Sequence, residues 1–256
     1  MASKSYRARV VVLKKTKLRE KDLIVTMLDE NGMLRQAVAK GARRPGGSFA
    51  ARLELFSVVD GWFVEGRSLD VVTDAKFAEG YSTLQFGLEQ AACASAVAEL
   101  VSAVAQEGLV HERLFDMTTL ALETIASSNP DVAVAICVAD LLKTLAMVGF
   151  RPSFDTCVSC GRRIDWENAP SRMRLSIADG GVVCEQCGSV PDAVIVDVNT
   201  IVWARTMLSR TFAEMTDDPP DVSISFSLLQ FIRQWVQAHV GKNLKSVDYL
   251  LVCGLF

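Results

Sequence analysis

Two cysteine pairs in identical frames constrain this chain more than any other feature: Cys157-Val-Ser-Cys160-Gly161 and Cys184-Glu-Gln-Cys187-Gly188. Two CxxC pairs separated by 23 residues are the donor set for one tetrahedral Zn²⁺. Each pair forms a knuckle that presents two thiolates to one side of the ion. The glycine after each pair fits the tight turn, because a residue without Cβ reaches positive φ at little steric cost. Such a turn also aims backbone N–H groups at the sulfurs. Four thiolates leave no open coordination position, so the expected ion is structural, not catalytic. Competing readings fit less well. A redox CxxC stands once, beside a βαβ unit. Paired disulfides belong to exported proteins, and the start, Met-Ala-Ser-Lys-Ser-Tyr-Arg, lacks the apolar stretch of a signal peptide. Cys93, Cys137 and Cys253 lie in apolar segments and read as buried free thiols.

The charge distribution is the second constraint. The chain of 256 residues carries a net charge of only −3, but residues 1–52 hold 13 Lys/Arg against 4 Asp/Glu, or +9. Residues 81–256 hold 12 against 20, or −8. A basic first segment on an acidic remainder is the footprint of a module that binds a polyanion. Half of all residues are hydrophobic, which suits a large globular core. The most apolar stretch, Val132 to Phe150, carries Asp140 and Lys143 and reads as a core helix, not a membrane span. No membrane association is expected, and free thiols suit a reducing cytoplasm.

Hydrophobic periodicity divides the chain near residue 80. Arg7–Leu13, Leu23–Leu28, Met33–Ala39, Leu53–Val64 and Ser68–Phe77 read as five short strands. Asp29-Glu30-Asn31-Gly32 and Glu65-Gly66-Arg67 supply hairpin turns. Five strands in this length suggest a small closed barrel, of OB type (oligonucleotide/oligosaccharide-binding) or SH3-like. From Ser82 the period becomes helical. Ser82-Thr-Leu-Gln85 resembles a capping box opening a helix to about Gln106. A second helix is expected from about Val110 to Ser127. A third has Asn129 as N-cap, Pro130 at the first helical position and Gly149 past its end. The cysteine segment spans about 155–190, and helices over about 199–215 and 225–240 follow, with Gly241 ending the last. The expected fold class is therefore α+β and multidomain. A five-stranded OB-type β-barrel over 1–80 precedes an all-α helical domain over 81–256, which carries a Cys₄ zinc-finger insert.

The candidate nucleic-acid-binding residues are Lys14, Lys15, Lys17, Arg19 and Lys21, clustered between the first two strands, with Arg35, Lys40, Arg43 and Arg44. The last three sit in the glycine-rich stretch Lys40-Gly-Ala-Arg-Arg-Pro-Gly-Gly-Ser48. Several cations beside a flexible path are what a phosphate backbone needs. The bland alternative is a solvated charged face. Tyr6, Phe56, Trp62, Phe63, Phe77 and Tyr81 are expected to fill the barrel, and only Phe49, in the glycine-rich loop, to stack on a base. Arg162, Arg163, Arg172 and Arg174 in the cysteine segment read as offsetting the negative Cys₄ centre. No catalytic residues are assigned, since no nucleophile elbow, phosphate-binding loop or zinc-protease motif is present. His111 and His239 each stand alone. Glu20 and Asp22 could suggest a metal-dependent nuclease, but ion pairing with neighbouring cations is the better account. No small-molecule substrate is expected.

These elements resemble the RecO family of bacterial DNA repair proteins, over essentially the whole chain. The likeness rests on Val-Leu-Lys-Lys-Thr-Lys-Leu-Arg-Glu-Lys-Asp-Leu-Ile-Val-Thr at 12–26, with Glu20 and Asp22 in the family's Glu-x-Asp positions. It rests also on Gly-Ala-Arg-Arg at 41–44, Gly-Phe-Arg-Pro at 149–152 before Cys157, and Asp179-Gly-Gly-Val-Val-Cys184. Members often carry glycine immediately before the Glu-x-Asp element; this chain has Arg19. The resemblance implies a non-enzymatic recombination mediator, cytoplasmic and nucleoid-associated. Such a protein binds single- and double-stranded DNA and anneals complementary strands. It contacts the acidic C-terminal tail of single-stranded DNA-binding protein (SSB) and acts with RecR to let RecA load. The alternative is an interaction scaffold whose helical domain holds SSB and RecR while DNA binding is incidental.

Overall fold

Alternation along the first strand sets the barrel. In the computed structural model, which describes residues 4–43, 52–81, 84–188, 190–191 and 193–256, β1 (Ser5–Leu18) sends Ala8, Val10 and Val12 into the interior. There they meet Val25 and Met27 of β2 (Asp22–Asp29), Ala37 and Ala39 of β3 (Leu34–Ala39), Val59 and Phe63 of β4 (Val58–Val64), and Val72 and Ala75 of β5 (Asp70–Phe77). Alanines at four of these positions suit a barrel too narrow to hold five rows of large side chains. The strands close in the order β1-β2-β3-β5-β4 and back to β1. Only β3 and β5 run parallel, across the two pairs Ala37↔Asp70 and Val38↔Val71. This is an OB-type barrel.

The first strand is much longer than its apolar run suggested. Lys14, Lys15 and Lys17 belong to β1 itself, paired with Thr26, Val25 and Leu23 of β2, and the connecting loop is only Arg19-Glu20-Lys21. A bulge at Leu13 separates the two halves of β1. Here Val12 exchanges backbone hydrogen bonds with Phe56 and Ser57. At the β2–β3 hairpin, fully buried Asp29 accepts from Asn31 N and Met33 N with Oδ1 and from Arg35 Nε with Oδ2. Gly32 sits there at φ +73°, and a Cβ on it would come within 2.1 Å of the His111 carbonyl oxygen, so both the turn and the close approach demand glycine.

Residues 1–127 form one compact unit and 128–256 the other. The first two helices therefore fold with the barrel, and the compact units do not coincide with 1–80 and 81–256. Helix α1 (Leu88–Val104) packs on β1 and β2, over Val11, Leu13 and Leu28, which are buried outside the barrel interior. Its first residue follows Gly87, later than the capping-box reading placed it; Ser82 and Thr83 lie outside the described residues. Helix α2 (Leu114–Ser127) packs against α1.

The second unit is built around α3 (Pro130–Met147). Asn129 Oδ1 accepts from Val132 N at 3.0 Å, Pro130 opens the helix, and Gly149 at φ +92° follows its end, as the sequence implied. Nearly every side of α3 is buried, because α4 (Val198–Ser209), α5 (Phe212–Asp217) and α6 (Val222–His239) all pack on it. The expected helix over 199–215 is two helices. The chain turns at Arg210, and Thr211 and Glu214 form a capping box that starts α5. A last helix, α7 (Lys245–Val252), packs against α6. Between α3 and α4 runs a three-stranded antiparallel sheet, β7-β6-β8, of β6 (Arg172–Ser176), β7 (Gly181–Val183) and β8 (Ala193–Asp197). No described helix is long and apolar enough to cross a membrane.

Candidate nucleic-acid interface and metal centre

The cations of the first segment fall into three structural situations. Lys14, Lys17, Arg19, Lys21 and Lys40 are exposed, and no ion pair to a described residue engages them. Lys14 and Lys17 project from the far half of β1; Arg19 and Lys21 lie in the β1–β2 loop; Lys40 follows β3. Lys15 is half-buried and paired with Glu54 at 2.5 Å. Arg35 and Arg43 are committed to the protein itself. Arg35 Nε donates to Asp29 Oδ2 at 2.7 Å, and its guanidinium lies 5.0 Å from the Tyr6 ring. Burial works against its charge, but Asp29 outweighs burial and keeps Arg35 above its ordinary value. Arg44 and Phe49 lie outside the described residues.

Arg43 and Asp22 together brace the loops that carry the free cations. Arg43 Nη1 donates to the Glu20 carbonyl at 2.9 Å, and Arg43 N donates to the Lys21 carbonyl at 3.1 Å. Asp22 Oδ1 accepts from Gly41 N at 2.8 Å. Asp22 thus spends its carboxylate on a backbone amide rather than on a neighbouring cation, and the second acid of the Glu-x-Asp element is a loop brace. The result is a fixed rim of exposed ammonium and guanidinium groups at one end of the barrel. Such a rim has the charge and exposure needed to neutralise phosphates without touching base edges.

Arg19 holds φ +58°, in the left-handed region. That conformation favours glycine, which reaches it without a Cβ penalty. A residue with a Cβ loses about 1–2 kcal/mol in that conformation. Arg19→Gly relieves this and gives back about 0.5–1 kcal/mol as chain entropy. Its thermal midpoint is expected to match or slightly exceed that of the parent chain. A drop of several degrees would show that the Arg19 side chain holds the loop.

The aromatic residues divide differently from expectation. Phe63 and Phe56 are buried, and Tyr6 stacks on Phe63 at 5.2 Å. Phe77, however, is 45% exposed, and Trp62 lies on the outer surface beneath cations: Arg7 Cζ is 5.1 Å and Lys76 Nζ 5.5 Å from its ring. The register could have given this away. In β4, Val59, Gly61 and Phe63 share one face, which forces Trp62 to the other.

The four cysteines converge. Their sulfur atoms all lie within 4.8 Å of one another, and they are the only such group of three or more potential metal ligands among the described residues. Sγ–Sγ separations are 3.8 Å for Cys157–Cys187, 3.8 Å for Cys160–Cys184 and 3.6 Å for Cys184–Cys187. Thiolates at the corners of a tetrahedron about 2.3 Å from a central Zn²⁺ stand about 3.8 Å apart, so the donor set fits the ion. Gly161 at φ +73° and Gly188 at φ +66° turn the two knuckles, with open space where each Cβ would be, so backbone conformation alone selects glycine there. Cys184 N donates to Cys157 Sγ at 3.3 Å. Burial pushes the Cys157 thiol up, but the N–H groups of Cys184, Cys160 and Ser159 outweigh it and bring it to about 6. Cys187 is helped by Ser159, yet the crowded thiols of Cys160 and Cys184 drive it to about 12. The Arg162 N–H likewise lowers Cys160, so two of the sulfurs are prepared for ionisation while Cys187 resists it, a set that a shared cation would balance.

The cluster belongs to a well-anchored module. Val158 N donates to Val182 O at 2.9 Å, and Ser153 pairs with Gly181, docking the first knuckle along β7. Phe154 packs on Phe231 of α6, and Trp235 Nε1 donates to Phe150 O at 2.9 Å. Arg205 of α4 bridges to Asp155 at 2.7 Å. Arg162 hydrogen-bonds Gln186 across the knuckles.

Comparison with known proteins bears on both sites. The family model for the N-terminal region of recombination protein O matches residues 1–81, and that for its C-terminal region matches residues 85–248. The chain is 35% identical over 248 residues to the DNA repair protein RecO of Symbiobacterium thermophilum, covering 96% of each. It is 30% identical over 256 residues to that of Gloeobacter violaceus, covering 99% of this chain and 95% of the relative. The corresponding protein of Caldanaerobacter subterraneus subsp. tengcongensis is 25% identical over 246 residues, 96% of this chain and 97% of the relative.

Proposed function

The chain belongs to the RecO family of DNA repair and recombination proteins, and from that premise we propose that it is a non-enzymatic recombination mediator. It binds single- and double-stranded DNA through the barrel and anneals complementary strands. It contacts the acidic tail of SSB, and with RecR it promotes loading of RecA. It works in the cytoplasm, at the nucleoid, and holds one structural zinc at Cys157, Cys160, Cys184 and Cys187. The observation that carries the reading is the rim of Lys14, Lys17, Arg19, Lys21 and Lys40, exposed and braced by Asp22 and Arg43.

Annealing requires no bond to be made or broken by the protein. Two phosphate backbones repel each other, and pairing needs that repulsion screened while the base edges stay free. A cationic rim that engages phosphates alone meets both requirements. The metal supplies folding energy to residues 128–256 and no chemistry.

Lysines at 17 and 21 are the cleanest probes, since neither braces the loop through its side chain. The wild type is expected to lose DNA affinity steeply between about 50 and about 200 mM salt. Lys17→Gln with Lys21→Gln reduces the salt slope for single-stranded DNA by roughly 1.4, twice the ~0.7 per phosphate contact. The same variant slows annealing of SSB-coated oligonucleotides, and labelled DNA incubated with Mg²⁺ stays intact. Affinity indifferent to salt would sink the proposal. SSB captured by a chain that binds no DNA would leave the scaffold reading standing.

A further inference from the structure

The outer face of β1, β4 and β5 carries a second arrangement of cations, built around an indole. Register places Arg7 opposite Trp62 and Arg9 opposite Asp60, with Asp74 and Lys76 next across on β5. Arg7 Nη2 lies 2.9 Å and Arg9 Nε 3.0 Å from the one Asp60 carboxylate. Arg9 first and Arg7 second hold that carboxyl below its usual range against the opposing effect of burial. Asp74 is taken by Arg52 at 3.2 Å. Arg7 and Arg9 therefore share Asp60, Lys76 faces it in register, and Glu30 Oε1 lies 3.4 Å from Arg9 N, so three cations against two carboxylates leave this face an excess positive charge. Arg7 remains 59% exposed by its side chain. Arg9 reaches to within 5.9 Å of the Tyr81 ring, while Arg7 and Lys76 both lie over Trp62.

We propose that this face is a second single-strand-binding surface, on which Trp62 stacks one base while Arg7 and Lys76 take the flanking phosphates. The inference rests on the DNA-binding reading above and names a different part of the barrel. Eight residues of strand separate Arg9 from Lys17, about 26 Å at 3.3 Å per residue. The bulge at Leu13 lies between them. One long strand thus carries a cationic site at each end, far enough apart for two DNA segments. Interleaved cations and aromatic rings are the usual means of holding single strands without sequence preference. The exchange is favourable. A phosphate draws Arg7 off the indole, and a base on the ring is worth more than an exposed cation–π contact. A duplex offers no free base face, so the stacking is specific to single strands.

The test uses the full chain and an oligothymidine of about 20 nucleotides. Binding is expected to quench tryptophan fluorescence, and Trp62→Phe removes most of the quench while changing affinity less than about threefold. Trp62→Ala weakens single-strand binding about tenfold and leaves duplex binding unchanged, whereas Lys76→Gln weakens both. Undiminished quenching in Trp62→Phe overturns the proposal. So does an equal loss of single- and double-strand binding in Trp62→Ala, which marks a structural role. A wild-type chain that binds neither form of DNA fails the underlying reading instead.

Discussion

On the proposed structural-zinc reading, Cys160→Ser is expected to abolish zinc binding and to lower the unfolding midpoint of residues 128–256 by about 10 °C or more. Cys160 is the informative choice because it is exposed, unlike Cys157 with 1% exposure. Serine there removes no buried apolar surface, so any lost stability belongs to the metal. Structural zinc in small modules contributes an apparent 10–16 kcal/mol. A third of that, spread through a unit with its own helical core, moves the midpoint by ~10 °C at about 2–4 °C per kcal/mol. Metal analysis of the purified variant and thermal unfolding by circular dichroism give the two readouts. Below that midpoint, affinity for single-stranded DNA is expected to stay within about twofold of wild type, since the cationic rim and the Trp62 face both belong to residues 1–127. Retained zinc with an unchanged midpoint would sink the closed-site reading. Loss of DNA binding with folding intact would make the module a DNA reader.

The four-cysteine cluster was legible because its signal is local: cysteine spacing and the two glycines lie within five-residue windows. The barrel was legible through its turn chemistry and alternation. What stayed hidden needed partners from elsewhere in the chain. Lys14, Lys15 and Lys17 look like loop residues, and only pairing with Leu23, Val25 and Thr26 makes them a strand. Arg35 looks like one more surface cation, and its ion pair with buried Asp29 could not be read from the sequence. Arg43 looks like a plain surface cation, and its guanidinium also braces the neighbouring loop through the Glu20 carbonyl. Other misses were readable. Thr211-x-x-Glu214 is a capping box in plain sequence, and Arg172-Met-Arg-Leu-Ser176 alternates like the strand it forms. The insert is accordingly a small sheet stapled by its cysteines, better ordered than a bare metal loop.

Asp140→Asn is expected to stabilise the protein at pH 8 and to change little near pH 4. Asp140 lies mid-way along α3 with no solvent exposure, and its two carboxyl oxygens have no hydrogen-bond partner among the described residues. Thr144 Oγ1, one turn on, has none either. Burial pushes the Asp140 carboxyl up to about 8, while Lys143 and Thr144 pull weakly the other way. Lys143 cannot rescue it. Burial lowers its own charge, Glu214 competes for it, and its Nζ lies 3.4 Å from the Leu208 carbonyl. The folded carboxyl therefore keeps its proton at neutral pH, where the unfolded one, near 3.9, has lost it. Below about pH 4 both states are protonated and the group is neutral in the balance. Above that the folded state binds the extra proton, and stability falls with rising pH by up to 1.4 kcal/mol per unit until about pH 8. Asparagine is close in shape, keeps the polar end and has no proton to lose. Subtracting wild-type from variant stabilities cancels every other titrating group. The difference should climb across pH 4–8 to on the order of 3 kcal/mol or more, roughly 6–12 °C in midpoint. A difference flat in pH would mean that Asp140 is ionised in the folded protein. A variant less stable than wild type at pH 8 would mean that the carboxylate serves a bound cation or partner, which would turn the interior of the helical unit into a functional site.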